Sequence, residues 1–166
     1  MSLCALSCDD LLGYTNLSAQ QWQNWFAANE SALEVPCDIR QTGTVRHFVQ
    51  HIFAVELRFA ERLLGEDITA YEQLAIATTG ELFAIHTRAT EKYAQYLSTA
   101  TEAAMDEVLE VQTRSAGDFR LSRRSIFVHA LLHSARHWAQ LATLVRQAGF
   151  PEVDGQDYFL YASRKS

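Results

Sequence analysis

The sequence predicts an all-α protein, and more closely a four-helix bundle. The 166-residue chain contains only two prolines and seven glycines, and these fall between long segments with apolar residues at helical spacing. Hydrophobic residues make up 48% of the chain and charged residues 20%, the balance of an ordinary globular protein. A chain of this length can bury one sizeable core, so we expect residues 1–166 to form one single domain.

The first two predicted helices cover about residues 9–33 and 44–64. The first carries leucines and tryptophans at its apolar positions, although Gly13 weakens its early turns, and Pro36 closes it. The second has a broad apolar stripe and is followed by Gly65, a residue typical of helix C-termini. Both segments should therefore pack one face against the core.

The third helix is predicted over about residues 69–99. Thr69 followed by Glu72 has the spacing of a capping box, which satisfies two otherwise unpaired amides at a helix start. Gly80 then lies inside the predicted helix and is expected to mark a break.

A long connection precedes the fourth helix. Residues 106–121 suggest a short hairpin or an ordered loop, which we expect to form one wall of a functional site. The fourth helix should run from about 122 to 148, because Gly149 and Pro151 follow it. The aromatic residues of the C-terminal tail, 155–166, are expected to pack on the bundle.

Charge and composition exclude several classes of protein. The net charge is −6, and the only dense basic cluster is Arg120, Arg123 and Arg124, so nucleic-acid binding is disfavoured. No apolar run approaches the ~18 residues of a membrane span. The chain start does not resemble a signal peptide, and the three cysteines, of which Cys4 and Cys8 lie close together, form no CxxC motif. We therefore expect a cytoplasmic protein with free thiols.

Three histidines in the last helix are spaced four residues apart: His129, His133 and His137. Each lies about 40° around the helix from the previous one, so neighbours can reach a common point. Paired imidazoles at this spacing suit zinc, nickel or iron(II). The alternative is a set of core histidines that form hydrogen bonds with glutamate or glutamine side chains, because buried imidazoles must be paired.

A metal would need a third ligand from another helix. His51 is flanked by apolar residues and can point toward the core, whereas His47 lies one turn nearer the helix start. His86, on the third helix, is a weaker candidate. The spacing alone leaves the roles of His47, His86 and His129 open.

Three stretches carry a resemblance to a known family. HALLHSARHWAQLATLVRQAGF (129–150) resembles the closing helix of the DinB-like (YfiT-like) family of metal-dependent proteins. TVRHFVQHIFAVELRFAERLLGE (44–66) is similar to the family's first ligand helix, with His51-Ile52 followed by the acid Glu56. PEVDGQDYFLYA (151–162) resembles its Asp-aromatic-Leu tail. The resemblance covers nearly the whole chain.

The resemblance implies a metal site made of one histidine from the second helix and two from the last. The matching residues are His51, His133 and His137. His129 matches an additional upstream histidine that is usually not a ligand. The chain departs from the family pattern at residues 138–139, where Trp-Ala replaces Arg-Gly, and retains Gln140.

The resemblance also implies a class of chemistry. Three neutral imidazoles would leave a divalent metal, zinc or nickel before iron, with an open position for water or substrate. Relatives of this fold include thiol-dependent enzymes such as bacillithiol transferases and mycothiol-dependent maleylpyruvate isomerase. We therefore expect a small-molecule substrate, a low-molecular-weight thiol as partner, and a homodimer. Metal-assisted hydrolysis is the second enzymatic option, and the alternative to an enzyme is a non-catalytic metal- or ligand-binding bundle with a stress-response or regulatory role.

The sequence assigns no catalytic residue. Glu56 lies five residues after His51, about 140° around the helix, so an interhelical ion pair is favoured over a role beside the metal. Gln140, with Glu56 a weak catalytic candidate, lies three residues after His137 and is close enough to the site to form a hydrogen bond with a ligand or substrate; the alternative is a buried structural amide. Arg46 and Arg136 could attract an anionic substrate, although solvated surface arginines are the commoner case.

Overall fold

The computed structural model describes residues 7–113 and 117–165. Within these ranges four long helices dominate, and two short helices, three 3-10 turns and two two-stranded antiparallel ribbons connect or extend them. The helices are α1 Cys8–Ala28, α2 Val45–Leu64, α3 Thr79–Thr99, α4 Glu102–Asp106, α5 Arg123–Gln147 and α6 Tyr158–Ser163. The strands are β1 Pro36–Cys37, β2 Gly43–Thr44, β3 Val108–Thr113 and β4 Gly117–Ser122. The predicted all-α fold class is confirmed.

The core lies between the four long helices. α2 packs against both α3 and α5, and α1 covers the remaining side by contacting the same two helices. Large side chains with no exposed surface fill the space between them, including Trp22, Phe26, Phe48, Phe53 and Phe127. Burial of this apolar area is the main stabilising term of the bundle. None of the described helices is both long and apolar enough to cross a membrane.

The second helix has the predicted boundaries. The Thr44 side chain accepts a hydrogen bond from the His47 amide, which caps the N-terminus. Gly65 ends the helix in the left-handed conformation at φ 71°, which glycine adopts without strain. The ends of α2 are thus fixed by local sequence.

The start of the third helix was predicted wrongly. Thr69 is not a cap, because its amide and hydroxyl both bind the buried carboxylate of Glu61 at the end of α2, at 2.9 and 2.5 Å. The helix starts ten residues later, where Thr78 and Glu81 form the capping box. Gly80 therefore lies in the first turn of α3 rather than at a break within the helix.

The first helix is shorter at its C-terminus than predicted. It ends at Ala28, and residues 30–34 form a 3-10 turn instead of continuing the α-helix. The helix is continuous through Gly13. The Tyr161 hydroxyl packs against this glycine and would lie 2.2 Å from an added Cβ, so no side chain fits there. The glycine serves the docking of the C-terminal tail on α1.

The connection before α5 contains the predicted hairpin. β3 pairs with β4 from Val108↔Ser122 to Thr113↔Gly117. The turn residues 114–116 of this prediction lie outside the described part of the chain, as does Cys4. Cys8 and Cys37 are free thiols.

The prediction that the tail aromatics pack on the bundle is confirmed for two of them. Tyr158 and Tyr161 both contact the ring of Tyr14, at centroid distances of 5.6 and 6.3 Å. Phe159 is 66% exposed, so the prediction is wrong for that residue.

Candidate metal centre

Three histidines from two helices converge at one point. α2 contributes His51, and α5 contributes His133 and His137. One ring nitrogen of each lies within 4.8 Å of the others, and this is the one group of three His, Cys, Asp or Glu side chains with such spacing among the described residues. The structure therefore brings together the three side chains that the sequence singled out.

The spacing on α5 sets the distance between two of these rings. The Nε2 atoms of His133 and His137 are 3.0 Å apart. Two nitrogens bound to one ion at about 2.1 Å lie roughly 3.0–3.4 Å apart at octahedral or tetrahedral angles. The two rings already have the separation that a shared ion requires.

His137 is oriented by a side chain of its own helix. Its Nδ1–H donates to the Gln140 carbonyl oxygen at 2.6 Å, which leaves the Nε2 lone pair facing the other histidines. The same Nε2 accepts a hydrogen bond from Arg136 Nη2 at 3.1 Å. The predicted contact between Gln140 and the site is therefore present.

His51 has a partner on one ring nitrogen only. The Tyr71 hydroxyl lies 3.3 Å from its Nδ1, while its Nε2 is buried and has no hydrogen-bond partner among the described residues. The Nδ1 of His133 is likewise buried and unpartnered. An unsatisfied buried ring nitrogen is costly, so His51 Nε2 fits an ion that would accept its lone pair. The Nδ1 of His133 would not bind that ion, because His133 faces His137 through Nε2.

Electrostatics keep the three imidazoles neutral at pH 7. Burial, followed by repulsion from His137, lowers the pKa of His51 to about 4. The same two causes lower the pKa of His133 to about 2. Burial also lowers the pKa of His137, although the hydrogen bond with Gln140 opposes this. Neutral imidazole is the form that binds a metal.

A cavity of about 460 Å³ gives access to the centre, and both His51 and His133 line it. The β3–β4 hairpin supplies part of its wall through Val111, Phe119 and Leu121, the position in which we expected this segment to lie. A ligand in the cavity could therefore reach the histidines directly.

The cavity also contains four arginines, and the sequence analysis identified only Arg136 among them. The other three are Arg40, Arg58 and Arg62. A signal for two of them was present, because Arg58 and Arg62 follow His51 by seven and eleven residues, a spacing that places all three on one face of α2.

Arg46, the other arginine that could attract an anion, lies away from the cavity. Its guanidinium binds Glu34 Oε1 at 2.5 Å and donates to the carbonyl oxygens of Ile76 and Ala77. It thus fastens the loop before α3 to α2, and it does not line the cavity.

Glu56 lies on another face of α2 and is 1% exposed. Its Oε2 accepts a hydrogen bond from His86 Nδ1 of α3 at 2.6 Å, so the interhelical pair favoured by the sequence is present. His86 is consequently separate from the group of three.

The remaining histidines lie outside the group as well. His47 Nδ1 is 2.9 Å from the Thr44 hydroxyl at the start of α2. His129 lines the cavity, and its ring centroid is 5.9 Å from that of His133.

Trp138, which departs from the family pattern, points into the core. It is 3% exposed and stacks on Trp22 at 5.4 Å. Ala139 is exposed. Neither residue lines the cavity beside the histidines, so this departure leaves the centre itself unobstructed.

Comparison with known proteins places the whole helical region in one family. A family model described as the DinB family matches residues 6–164. The chain is also similar to Protein DinB of Bacillus subtilis (strain 168), with 23% identity over 126 residues that cover 71% of this chain and 72% of the relative.

Proposed function

The chain belongs to the DinB family, and we propose that it is a metal-dependent enzyme whose divalent ion is held by His51, His133 and His137. One observation carries the proposal: three neutral imidazoles converge beside a cavity, and no fourth protein ligand joins them within the described ranges. A purely structural metal site closes its coordination with protein side chains, whereas a catalytic one keeps a position open. Zinc or nickel is our first choice of ion and iron the next, because imidazole suits all three.

The reaction that we propose is transfer of a low-molecular-weight thiol to an electrophilic small molecule. A divalent ion held by His51, His133 and His137 would supply Lewis acidity, which would lower the pKa of a thiol or of water at the centre. The family resemblance supports the thiol, and metal-assisted hydrolysis is the second candidate because the same centre would serve it.

The chain's own residues would orient the reactants. Gln140 holds the His137 ring so that its Nε2 lone pair faces the centre. The Tyr71 hydroxyl does the same for His51 from the other side. The apolar side chains of the hairpin, Val111, Phe119 and Leu121, would shield the reacting groups from bulk water. We propose no chemical step for Glu56, whose carboxylate is bonded to His86.

The competing proposal is a non-catalytic binding bundle with a stress-response or regulatory role. The cavity beside the histidines argues against a site that only stabilises the fold, because such a site needs no access for a ligand. A ligand-binding bundle would use the same cavity, so turnover separates it from an enzyme. A homodimer and a cytoplasmic location remain proposals that follow from the family resemblance and the cysteine content.

Turnover by metal-loaded protein tests the proposal. We would load the protein with zinc, nickel or iron(II), supply glutathione or cysteine with chlorodinitrobenzene, and follow thioether formation. The wild type and His47→Ala, a control on the same helix outside the group, should turn over alike, whereas His51→Ala should lose activity. Equal rates in His51→Ala and the wild type, with these thiols and with ester substrates, would sink the enzyme proposal.

A further inference from the structure

The cavity beside the histidines has two chemically different linings. Apolar side chains, including Val55, Phe59, Val111, Phe119 and Leu121, form most of its wall. Its volume of about 460 Å³ falls in the range of sites that enclose a small organic molecule. The apolar part of a small organic molecule could therefore be buried against this wall.

The polar lining is strongly basic. Four of the chain's 14 lysines and arginines line the cavity, and no aspartate or glutamate does so among the described residues. This contrasts with the net charge of −6 for the whole chain. The cavity is thus a local region of positive potential on an acidic protein, which attracts anions.

Three of the cavity arginines differ in their partners from the arginines that form ion pairs elsewhere in the fold. Arg46, Arg123 and Arg124 each bind a carboxylate. No carboxylate within the described residues pairs with Arg58, Arg62 or Arg136. The counter-charge for these three arginines is therefore not supplied by the part of the chain that the structure describes.

Neutral contacts hold two of these guanidinium groups in place. Arg58 Nη1 donates to the Thr69 carbonyl oxygen at 2.5 Å, and Arg62 Nη2 donates to the Gln112 carbonyl oxygen at 2.8 Å. A guanidinium has five N–H donors, so each retains donors for a ligand. Burial and the neighbouring Arg58 lower the pKa of Arg62, which is the expected effect of two partly desolvated like charges.

A strained backbone brings the fourth arginine to the cavity. Arg40 has φ 56° and Gln41 has φ 57°, in the left-handed region that non-glycine residues rarely adopt. Strain of this kind persists where the surrounding structure requires it, commonly at ligand sites. Here it places an arginine in the cavity wall from a loop.

We propose that the cavity binds an organic anion, with a carboxylate or phosphate group held by Arg58, Arg62, Arg136 and Arg40 and an apolar body against the hairpin. Arginine forks match both anionic groups in geometry. Arg136 lies 3.1 Å from His137 Nε2, so the bound anion lies next to the histidine centre. The inference rests on the proposed function in one respect, because it names the substrate class of that same centre.

Equilibrium binding tests this without any turnover. Calorimetric titrations would compare octanoate, octyl phosphate, octanol and octylamine, with metal-free and zinc-loaded protein. Arg58→Gln and Arg136→Gln would each remove one cavity charge. Arg46→Gln on α2 and Arg146→Gln at the exposed end of α5 are the matched controls, and circular dichroism would verify that each variant is folded.

We expect octanoate or octyl phosphate to bind at least tenfold more tightly than octanol and octylamine, and the tighter of the two identifies the anionic group. Loss of one charge-assisted contact should weaken anion binding roughly tenfold or more in the folded cavity variants, and less than twofold in the controls. Equal binding of octanol, absence of anion binding, or equal effects of cavity and control variants would overturn the proposal. Anion binding without thiol transfer would support the anion site and contradict the enzyme proposal. Thiol transfer without anion binding would support the enzyme proposal and contradict the anion site.

Discussion

Histidines packed against two faces of α2 have different surroundings, with a carboxylate partner on one face and other histidines on the other face. On one face Glu56 pairs with His86 of α3, and both residues are at most 9% exposed. On the other face His51 meets His133 and His137 beside a cavity, and no carboxylate belongs to the group.

Both ring nitrogens of His86 have partners within the protein, although Glu56 Oε1 has none among the described residues, whereas His51 has a partner on one ring nitrogen only. His86 uses Nδ1 for Glu56 at 2.6 Å, and its Nε2 lies 3.4 Å from the Thr90 hydroxyl, which in turn donates to Asn16. By contrast, His51 Nε2 has no hydrogen-bond partner among the described residues. The difference shows that a carboxylate neighbour completes a core histidine, and that its absence leaves lone pairs for an external ligand.

The largest expected difference between the two regions is their response to metal. Zinc at a thousand times its dissociation constant should raise the free energy of unfolding of the wild type by about 4 kcal/mol. His133→Ala should gain little, because the shared site is lost, whereas folded Glu56→Gln should gain as much as the wild type. Urea unfolding with and without zinc would measure this, and equal gains in wild type and His133→Ala would refute the metal site.

The next largest effect concerns the pair. Glu56→Ala should lower the free energy of unfolding of metal-free protein by about 3 kcal/mol, because it leaves His86 buried without its partner. Glu56→Gln keeps a hydrogen-bond acceptor and should lose less. Urea denaturation would show it, and a loss below about 1 kcal/mol for Glu56→Ala would mean that the pair does not stabilise the core as described.

A smaller effect should separate metal affinity from stability. Gln140 is exposed apart from its bond with His137, so Gln140→Ala should change folding stability little. It should nevertheless weaken metal binding about 10- to 100-fold, because the His137 ring would no longer be oriented. Competition with a chelating dye would measure this. Gln147→Ala, exposed at the end of the same helix, is the control, and equal affinities of the two variants would count against the orienting role.

The smallest effect is the pH dependence of the metal-free protein. The folded-state pKa values of His51 and His133, about 4 and about 2, lie below the unfolded value of about 6.5. The unfolded chain therefore binds more protons, and stability is present above pH ~6.5 and falls as the pH decreases toward the folded values. Each histidine changes the free energy of unfolding by at most about 1.4 kcal/mol per pH unit. Thermal melts from pH 7 to 5 should show a shallower slope for His51→Ala, and an identical slope would contradict the neutral buried imidazole.

The histidine group could be predicted from sequence because it depends on local geometry. The four-residue spacing of His133 and His137 fixes their relation on any helix, and the apolar stripe of α2 fixes the direction of His51. The start of α3 could not be predicted, because Thr69 and Thr78 both precede a glutamate by three residues. Only the folded chain shows that Glu61 binds Thr69.

The basic cavity depends on distant parts of the chain. Arg40 reaches it from a strained loop, and Phe119 from a hairpin that packs over α2 and α5 only in the folded state. No spacing in the sequence reveals such contacts. Only the common face of His51, Arg58 and Arg62 on α2 could have indicated that arginines lie near the histidine group.

Metal content measured by mass spectrometry on untagged protein tests the central claim most directly. We predict near-stoichiometric zinc, nickel or iron in the wild type and in the His47→Ala control, and its loss in both His51→Ala and His133→Ala. Loss in both variants would establish one site shared between α2 and α5. Metal-free wild-type protein that also takes up no added zinc, nickel or iron(II) would contradict the account and leave the three histidines as polar residues of the core.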